Sequence, residues 1–295
     1  MKTKTVNRTG KSLVKKALVV GAKKAKVIDK ANLKEANEKI KLEKAASVKN
    51  SGEPKDEVKK ETVKMDKKYD LTIDVKDLLT AGCHLGHKVS KTNPKVKDYL
   101  YQSREGIQIF DLTKTFTNLE KACNFIYNAK RNGKQIVLLG TKRQAREVVR
   151  RVAMDAGVPY ITDRWVGGTV SNWSEIKKNI KKLNDILSGF ESGKYAETSK
   201  KDLSELRKEK SRLEKMVGGL LKLDKVFDII FVVDAGFERT AIKESQEKGV
   251  KVVSIVDSDS NPEKVDFAIP ANDDNVKSIS IIVEEIGRAI KAAGV

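Results

Sequence analysis

Residues 136–156 read IVLLGTKRQAREVVRRVAMDA. Ile136 to Leu139 is an unbroken apolar run, the pattern of a strand covered on both faces. Gly140 and Thr141 interrupt it. Beyond them Ala145, Val148, Val149, Val152, Ala153 and Ala156 recur at i, i+3, i+4, i+7, i+8 and i+11. That is one stripe of a helix over Arg143–Ala156, with Arg143, Arg146 and Arg150 on its other side. A doubly covered strand followed by an amphipathic helix is half of a strand–helix–strand unit, which predicts a parallel sheet between helices.

The theme continues outward. Upstream, Gly106–Leu112 is predicted as a strand and Thr113–Arg131 as a helix with Phe116, Leu119, Cys123 and Ile126 on one face. Downstream, strands are predicted at Val158–Thr162, Asp228–Val233, Val250–Val256 and Phe267–Ile269, with a helix at Glu238–Lys248. A last helix, Asn275–Ala293, presents Ile279, Ile282, Val283, Ile286, Ile290 and Ala293, and Asp273 and Asp274 favour its start. The alternation implies right-handed crossovers and an α/β fold with a doubly wound, mostly parallel sheet.

Residues 174–222 break the alternation. Ile176, Ile180, Leu183, Leu187 and Phe190 recur at helical spacing, as do Leu203, Leu206, Leu213, Val217 and Leu220, around the non-periodic Glu191–Ser199. The pattern predicts an antiparallel coiled-coil hairpin inserted into the sheet domain, 71–173 and 223–295, and projecting from it. The alternative is two helices packed on that domain.

Residues 1–70 have another character. They hold 21 Lys and Arg against 10 Asp and Glu, net +11, and their first aromatic residue is Tyr69. Such a segment buries too little apolar surface to offset its ordering entropy, which predicts a basic, mostly disordered extension. It is either an arm along nucleic-acid backbone or a solvated tail. Its acidic residues argue against a mitochondrial transit peptide, and Ala17–Ala22 is too short for a signal-peptide core. Thr9-Gly10-Lys11-Ser12 lacks the first glycine and preceding strand of a P-loop.

The 295 residues carry 60 Lys and Arg against 41 Asp and Glu, net +19. That favours a polyanionic partner, nucleic acid before an anionic membrane. No apolar run has membrane-spanning length. Two cysteines, Cys83 and Cys123, are too few for a disulfide framework and fit a reducing compartment.

In a doubly wound sheet, ligands bind where strands end at their carboxyl edge. Asp111, Gly140, Thr141, Lys142, Arg143, Asp163, Arg164, Asp234 and Asp257 gather there. A phosphate-handling enzyme would use Asp234 and Asp257 to hold Mg²⁺, with Lys142 as a cation. No dinucleotide fingerprint or P-loop supports it, and carboxylates at strand ends also cap helices. Cys83, His84 and His87 make three ligands where a structural zinc site needs four, so packed or hydrogen-bonded histidines are expected. No nucleophile set stands out. The expectation is therefore no catalytic residue, no metal and no cofactor.

The basic residues form the candidate RNA-binding set. Lys88, Lys91, Lys95 and Lys97 share a loop with Asn93-Pro94, followed by Arg104, then Lys142, Arg143 and Arg146, then Arg164-Trp165 beside Gly167-Gly168. The cations would neutralise phosphates, Trp165 would stack on a base, and the glycines would admit close backbone approach. For Trp165 and Trp173 taken alone, core or inter-domain packing is the favoured reading.

Four blocks carry a resemblance. They are Ala81-Gly82-Cys83-His84-Leu85-Gly86-His87 with Asn93-Pro94-Lys95 and Ile109-Phe110-Asp111-Leu112; Gly140-Thr141-Lys142-Arg143-Gln144-Ala145; Arg164-Trp165-Val166-Gly167-Gly168-Thr169 with Ser171-Asn172-Trp173; and Phe231-Val232-Val233-Asp234, Ile255-Val256-Asp257, Asn261-Pro262, Asp266 to Pro270 and Asn272-Asp273-Asp274. From Leu78 to Ala293 the chain resembles the small-subunit ribosomal protein two family of bacteria and organelles. It departs from that family at Leu85 (usually Phe), Thr92 (Trp), Trp173 (Phe), Asp259 (Asn) and Ala271 (Gly). The resemblance implies a flavodoxin-like sheet carrying a coiled-coil hairpin. It implies a structural, non-catalytic constituent of the small ribosomal subunit, placed between head and body, cytoplasmic and ribosome-bound. Its implied partners are small-subunit ribosomal RNA, neighbouring small-subunit proteins and the large messenger-binding protein S-one, with no membrane. The rivals are the Mg²⁺-dependent enzyme and a protein-only scaffold acting through the hairpin.

Overall fold

The computed structural model describes residues 68–294. In chain order the elements are α1 (Val75–Thr80), β1 (Leu85–Lys88), β2 (Leu100–Arg104), β3 (Ile107–Phe110), α2 (Leu112–Arg131), β4 (Ile136–Leu139), α3 (Arg146–Ala156) and β5 (Tyr160–Ile161). Then follow α4 (Trp173–Glu191), α5 (Lys200–Val217), β6 (Ile229–Val232), α6 (Arg239–Glu247), β7 (Lys251–Val256), β8 (Phe267–Pro270) and α7 (Val276–Ala293).

The central sheet runs β5-β4-β6-β7-β8 with every pair parallel. This is the flavodoxin-like order, in which the winding reverses between β4 and β6. All four residues of β4 are buried, and they alternate between two cores. Ile136 and Leu138 join Leu119 and Ile126 of α2, Val149 of α3 and Ile282 and Ile286 of α7. Val137 and Leu139 join Ile180 and Leu183 of α4, Leu213 and Val217 of α5 and Ile242 of α6. Successive strand side chains point to opposite faces, so an apolar run with no polar partner position needs helices on both sides.

The predicted strand at Gly106–Leu112 does not belong to this sheet. It is β3, the middle strand of a separate antiparallel sheet ordered β1-β3-β2. Glu105 and Gly106 join β2 to β3 with φ of 53° and 77°. A two-residue loop with both φ positive matches the twist of a tight hairpin. Strands β1 and β2 went unseen because each is short, largely exposed and rich in polar residues.

The basic extension, placed at 1–70, lies outside the described residues except for its last three. Those three are tied into the fold. Tyr69 is buried against the α2–α7 core, its amide donates to Asn124 Oδ1 at 2.7 Å and its hydroxyl to Glu285 at 3.0 Å. Thr72 gives the same carboxylate its amide at 2.9 Å and its hydroxyl at 2.6 Å, and Arg288 holds it at 2.7 Å. One buried ring and one shared carboxylate anchor the first described residues to the α2–α7 core.

Helices α4 and α5 pack on each other. Their buried residues Ile176, Ile180, Leu183, Leu213 and Val217 are continuous with the sheet residues Val137 and Ile230. Farther along, Leu203 and Leu206 are only half-buried. Gly189 leaves room for Tyr195, whose ring would lie 2.5 Å from a Cβ there.

Candidate nucleic-acid interface

The small antiparallel sheet docks on the carboxyl edge of the parallel one through Ser258. The His87 amide donates to Ser258 Oγ at 2.7 Å and the Asn93 amide to its carbonyl at 2.7 Å. A Cβ at Gly86 would lie 2.9 Å from that hydroxyl, so only glycine lets the strand come this close. The docking fixes the basic loop. Ile107 pairs with Lys88 on one side and Arg104 on the other. Directly opposed residues share a face of a sheet, so Lys88, Ile107 and Arg104 form one solvent-facing row across three strands. Lys91, Lys95 and Lys97 are exposed in the 3₁₀ turns that follow β1. Among the described residues no carboxylate lies within 4.0 Å of Lys88, Lys91 or Lys97. Lys95 is paired with Glu263 at 2.8 Å, both exposed, and Arg104 lies 3.9 Å from Glu105. Tyr101 on β2 is 71% exposed, an aromatic that strand periodicity alone did not single out.

The winding reversal between β4 and β6 is filled from within. Lys142 Nζ lies 3.0 Å from Asp234, 2.7 Å from Asp273 and 2.7 Å from Asp274, with its side chain 15% exposed. Burial works against its charge, but the three carboxylates outweigh burial and raise its pKa above the ordinary lysine value. Asp273 is the counterpart. Burial, then Asp234 and Asp257, push its carboxyl up, while Lys142 pulls it back. Beside them the Thr141 hydroxyl donates to buried Glu238. Of the basic residues singled out in the sequence, Lys142 is the one whose ammonium faces internal carboxylates rather than solvent.

The Mg²⁺ arrangement fails on the same geometry. Asp234 faces Lys142, whereas Asp257 faces His87 Nδ1 at 3.1 Å and accepts the amides of Ser258 and Asp273 at 2.5 and 3.2 Å. Among the described residues no group of three or more His, Cys, Asp or Glu has metal-binding geometry. Cys83 is buried, accepts a hydrogen bond from Ser278 Oγ at 3.2 Å, and burial pushes its thiol up to about 11. Burial lowers His84, and His87 serves Asp257 and Asp274 instead.

His87 carries a pH prediction. Its hydrogen bond to Asp257 raises its pKa to about 9 against burial, with the charges of Asp257, Asp259 and Asp273 adding. A base held tighter in the fold than in the unfolded chain stabilises fully below its ordinary pKa, and that contribution is lost as pH rises through the folded value. Stability is expected to fall by roughly 2–3 kcal/mol between about pH 6.5 and 9.5. Urea unfolding across that window checks it, and His87→Gln should flatten the profile. An equally steep profile in the variant would assign the slope to other groups.

The Arg164–Trp173 loop is built around an anion that the sequence did not announce. Glu244, on the buried side of α6, accepts from Trp165 Nε1 at 3.0 Å, from the amides of Gly168, Val170 and Ser171 at 3.2, 2.8 and 2.8 Å, and from Ser171 Oγ at 2.9 Å. Burial would raise its carboxyl, but these donors outweigh it and hold the pKa below the usual range. Trp165 is 8% exposed with its indole bound to Glu244, in keeping with the packing reading. The loop amides expected to approach sugar-phosphate instead turn inward. The available signal was a glutamate among Ala241, Ile242 and Ser245 on the buried stripe of α6.

Arg143 and Arg164 are exposed, and no carboxylate lies within 4.0 Å of either among the described residues. Arg146 donates to the carbonyls of Thr141 at 2.8 Å and Asp163 at 3.3 Å, and it stiffens the strand end more than it reaches outward. The structure therefore puts Lys88 and Arg104 on one docked sheet, with Lys91, Lys95 and Lys97 in the 3₁₀ turns after β1, and places Arg143 and Arg164 after β4 and β5.

Known proteins match this sequence. A family model described as Ribosomal protein S2 matches residues 78–293. The small ribosomal subunit protein uS2 of Oenococcus oeni is 38% identical over 218 residues, which is 74% of this chain and 84% of that protein. The protein of the same name from Coprothermobacter proteolyticus is 40% identical over 218 residues, 74% of this chain and 81% of that one. These relatives are named as ribosomal proteins, and nothing in them supports the enzyme alternative. The chain belongs to the ribosomal protein S2 family.

Proposed function

We propose that this chain is a structural, non-catalytic constituent of the small ribosomal subunit that supports translation by gripping small-subunit ribosomal RNA through phosphate contacts. The observation that carries the site is the row Lys88–Ile107–Arg104, joined by Lys91, Lys95 and Lys97, on a sheet docked rigidly through Ser258. Arg143 and Arg164 extend the set, with Arg146 behind them. Exposed cations without a carboxylate partner lose no internal pairing when a phosphate arrives, whereas a buried pair such as Lys142–Asp273 would.

The α4–α5 pair is, in this reading, a coiled-coil hairpin that forms a unit of its own, 174–222, against the α/β domain of 71–173 and 223–295. Its polar outer faces suit neighbouring small-subunit proteins, with S-one among the partners on the strength of the family resemblance. The chain then works in the cytoplasm, on the ribosome, and the basic arm adds backbone contacts.

Filter binding of the full chain to small-subunit ribosomal RNA across a salt series tests the site. Affinity should fall steeply with salt, by a logarithmic slope of about 0.9 per neutralised phosphate. Replacing Lys88 and Arg104 together with alanine should lower affinity about tenfold and reduce that slope by roughly two. Unchanged affinity in the double variant would remove the sheet from the interface.

A further inference from the structure

Next to the docked sheet, between the loops that follow β6 and β7, lies a cleft of about 430 Å³. Its rim carries Phe237, which is 63% exposed although the apolar side chains around it are buried. Two hydrogen bonds tie down the loop that holds it. The Phe237 amide donates to Asp234 Oδ1 at 2.8 Å, and Arg239 Nε donates to the Gly236 carbonyl at 2.7 Å. Gly236 is needed for the cleft's shape, since a Cβ there would lie 2.5 Å from Ser260 Oγ.

The charges of the lining are unequal in their commitments. Of its two carboxylates, Asp234 is paired with Lys142, while Asp259 is exposed and accepts a hydrogen bond from Ser260 Oγ at 2.9 Å. Its two cations, Arg239 and Lys264, have no carboxylate within 4.0 Å among the described residues. Asn93 and Asn261 spend their side-chain oxygens on the amides of Lys95 and Glu263, both at 3.0 Å. Their NH₂ groups are left without a protein acceptor among the described residues. A lone exposed aromatic face, two uncommitted cations and two amide donors around a cleft of this size match a base, a phosphate and the acceptors of a base edge. A protein partner would meet a small and mostly polar surface.

We propose that this cleft holds one unpaired nucleotide of RNA, with its base stacked on Phe237 and its phosphate gripped by Arg239 and Lys264. The proposal rests on the RNA-binding reading above and adds a nucleotide-specific contact to it. Each stacked base typically contributes enough to change affinity about tenfold, with little sensitivity to salt, whereas each phosphate contact adds to the salt slope.

The full chain bound to small-subunit ribosomal RNA is the material for the test. Short-wave ultraviolet crosslinking and mass spectrometry should find a nucleotide on the peptide that contains Phe237. Phe237→Ala should abolish that adduct and lower affinity about tenfold with the salt slope unchanged, and Phe237→Trp should restore affinity. Arg239→Ala should lower the slope by about one. Phe237 is exposed, so these variants keep the fold, which circular dichroism verifies. If Phe237→Ala binds and crosslinks like the parent while the Lys88 and Arg104 double variant binds weakly, the nucleotide cleft is refuted and the RNA-binding reading stands. If Phe237→Ala instead spares RNA affinity and loses only a small-subunit protein, the cleft is a protein surface and the proposal is overturned. If neither Phe237→Ala nor the double variant alters RNA affinity, both readings fall.

Discussion

Lys142→Met is expected to cost the folded state about 3–5 kcal/mol and to lower its melting temperature by on the order of 10 °C. The substitution removes the ammonium from among Asp234, Asp273 and Asp274 and leaves Asp273, which is almost fully buried, facing Asp234 and Asp257 without its ion-pair partner. Removing one partner of a buried pair is far more damaging than never having had the pair. The loss should depend on pH. Without the ammonium, burial and the neighbouring carboxylates raise the Asp273 carboxyl further. A carboxyl that binds its proton more tightly in the fold than in the unfolded chain loses stability as pH rises. The deficit should therefore be smaller near about pH 5 than near pH 8. Calorimetry over that range is the measurement. A variant melting with the parent at every pH would show that Lys142 is not the ion that neutralises this edge. Ribosomal RNA affinity per folded molecule should stay unchanged, in contrast to the Lys88 and Arg104 variant.

Glu244→Gln should cost roughly 4 kcal/mol. Five donors converge on the Glu244 carboxylate, three of them backbone amides of one loop. An amide side chain offers one acceptor and turns two hydrogens toward the remaining donors, so several buried N–H groups lose their partner. Hydrogen exchange at Gly168, Val170 and Ser171 should accelerate, and Trp165 fluorescence should shift to the red as the indole meets water. If those amides kept their protection, the loop would owe its shape to packing of Trp165 and Val170 alone. Arg164 sits in this loop, so a fall in RNA affinity is expected to accompany the loosening.

Both predictions concern side chains whose roles were hidden from the linear pattern, and the reason is the same. Lys142 meets partners 92 and 131 positions away, and Glu244 meets donors 73 to 79 positions away. Residue type says that such groups can be charged; only chain folding says whether the opposite charge is solvent, phosphate or another side chain. Lys142, a candidate RNA contact in the sequence, therefore lies among internal carboxylates in the fold, and Trp165, favoured as a packing residue, is buried as well. Arg143 and Arg164 keep their exposure because they follow strand ends with no acidic side chain opposite. Tyr69 escaped because a single aromatic at the end of a polar segment has no periodicity to reveal its burial.

The periodic elements behaved differently. Ile136–Leu139 was legible to the residue, and α2, α6, β6, β7, β8 and α7 to within one or two, because burial from both sides or along one stripe imposes a pattern on consecutive residues. The small antiparallel sheet had no such pattern. Its strands cover only one face and carry lysine and arginine on the other, and its register depends on a hairpin turn and on Ser258 far along the chain.

By itself, then, the amino-acid order determined the α/β class, the parallel sheet, the place of the two-helix insert, the basic balance and the family likeness, all properties encoded in runs of neighbouring residues. Tertiary structure alone decided which cations are free. Whether an ammonium faces a carboxylate at 2.7 Å or open solvent depends on distant strands meeting at one sheet edge, and the energy of a charge is set by what lies within a few ångströms of it, not by its neighbours along the chain.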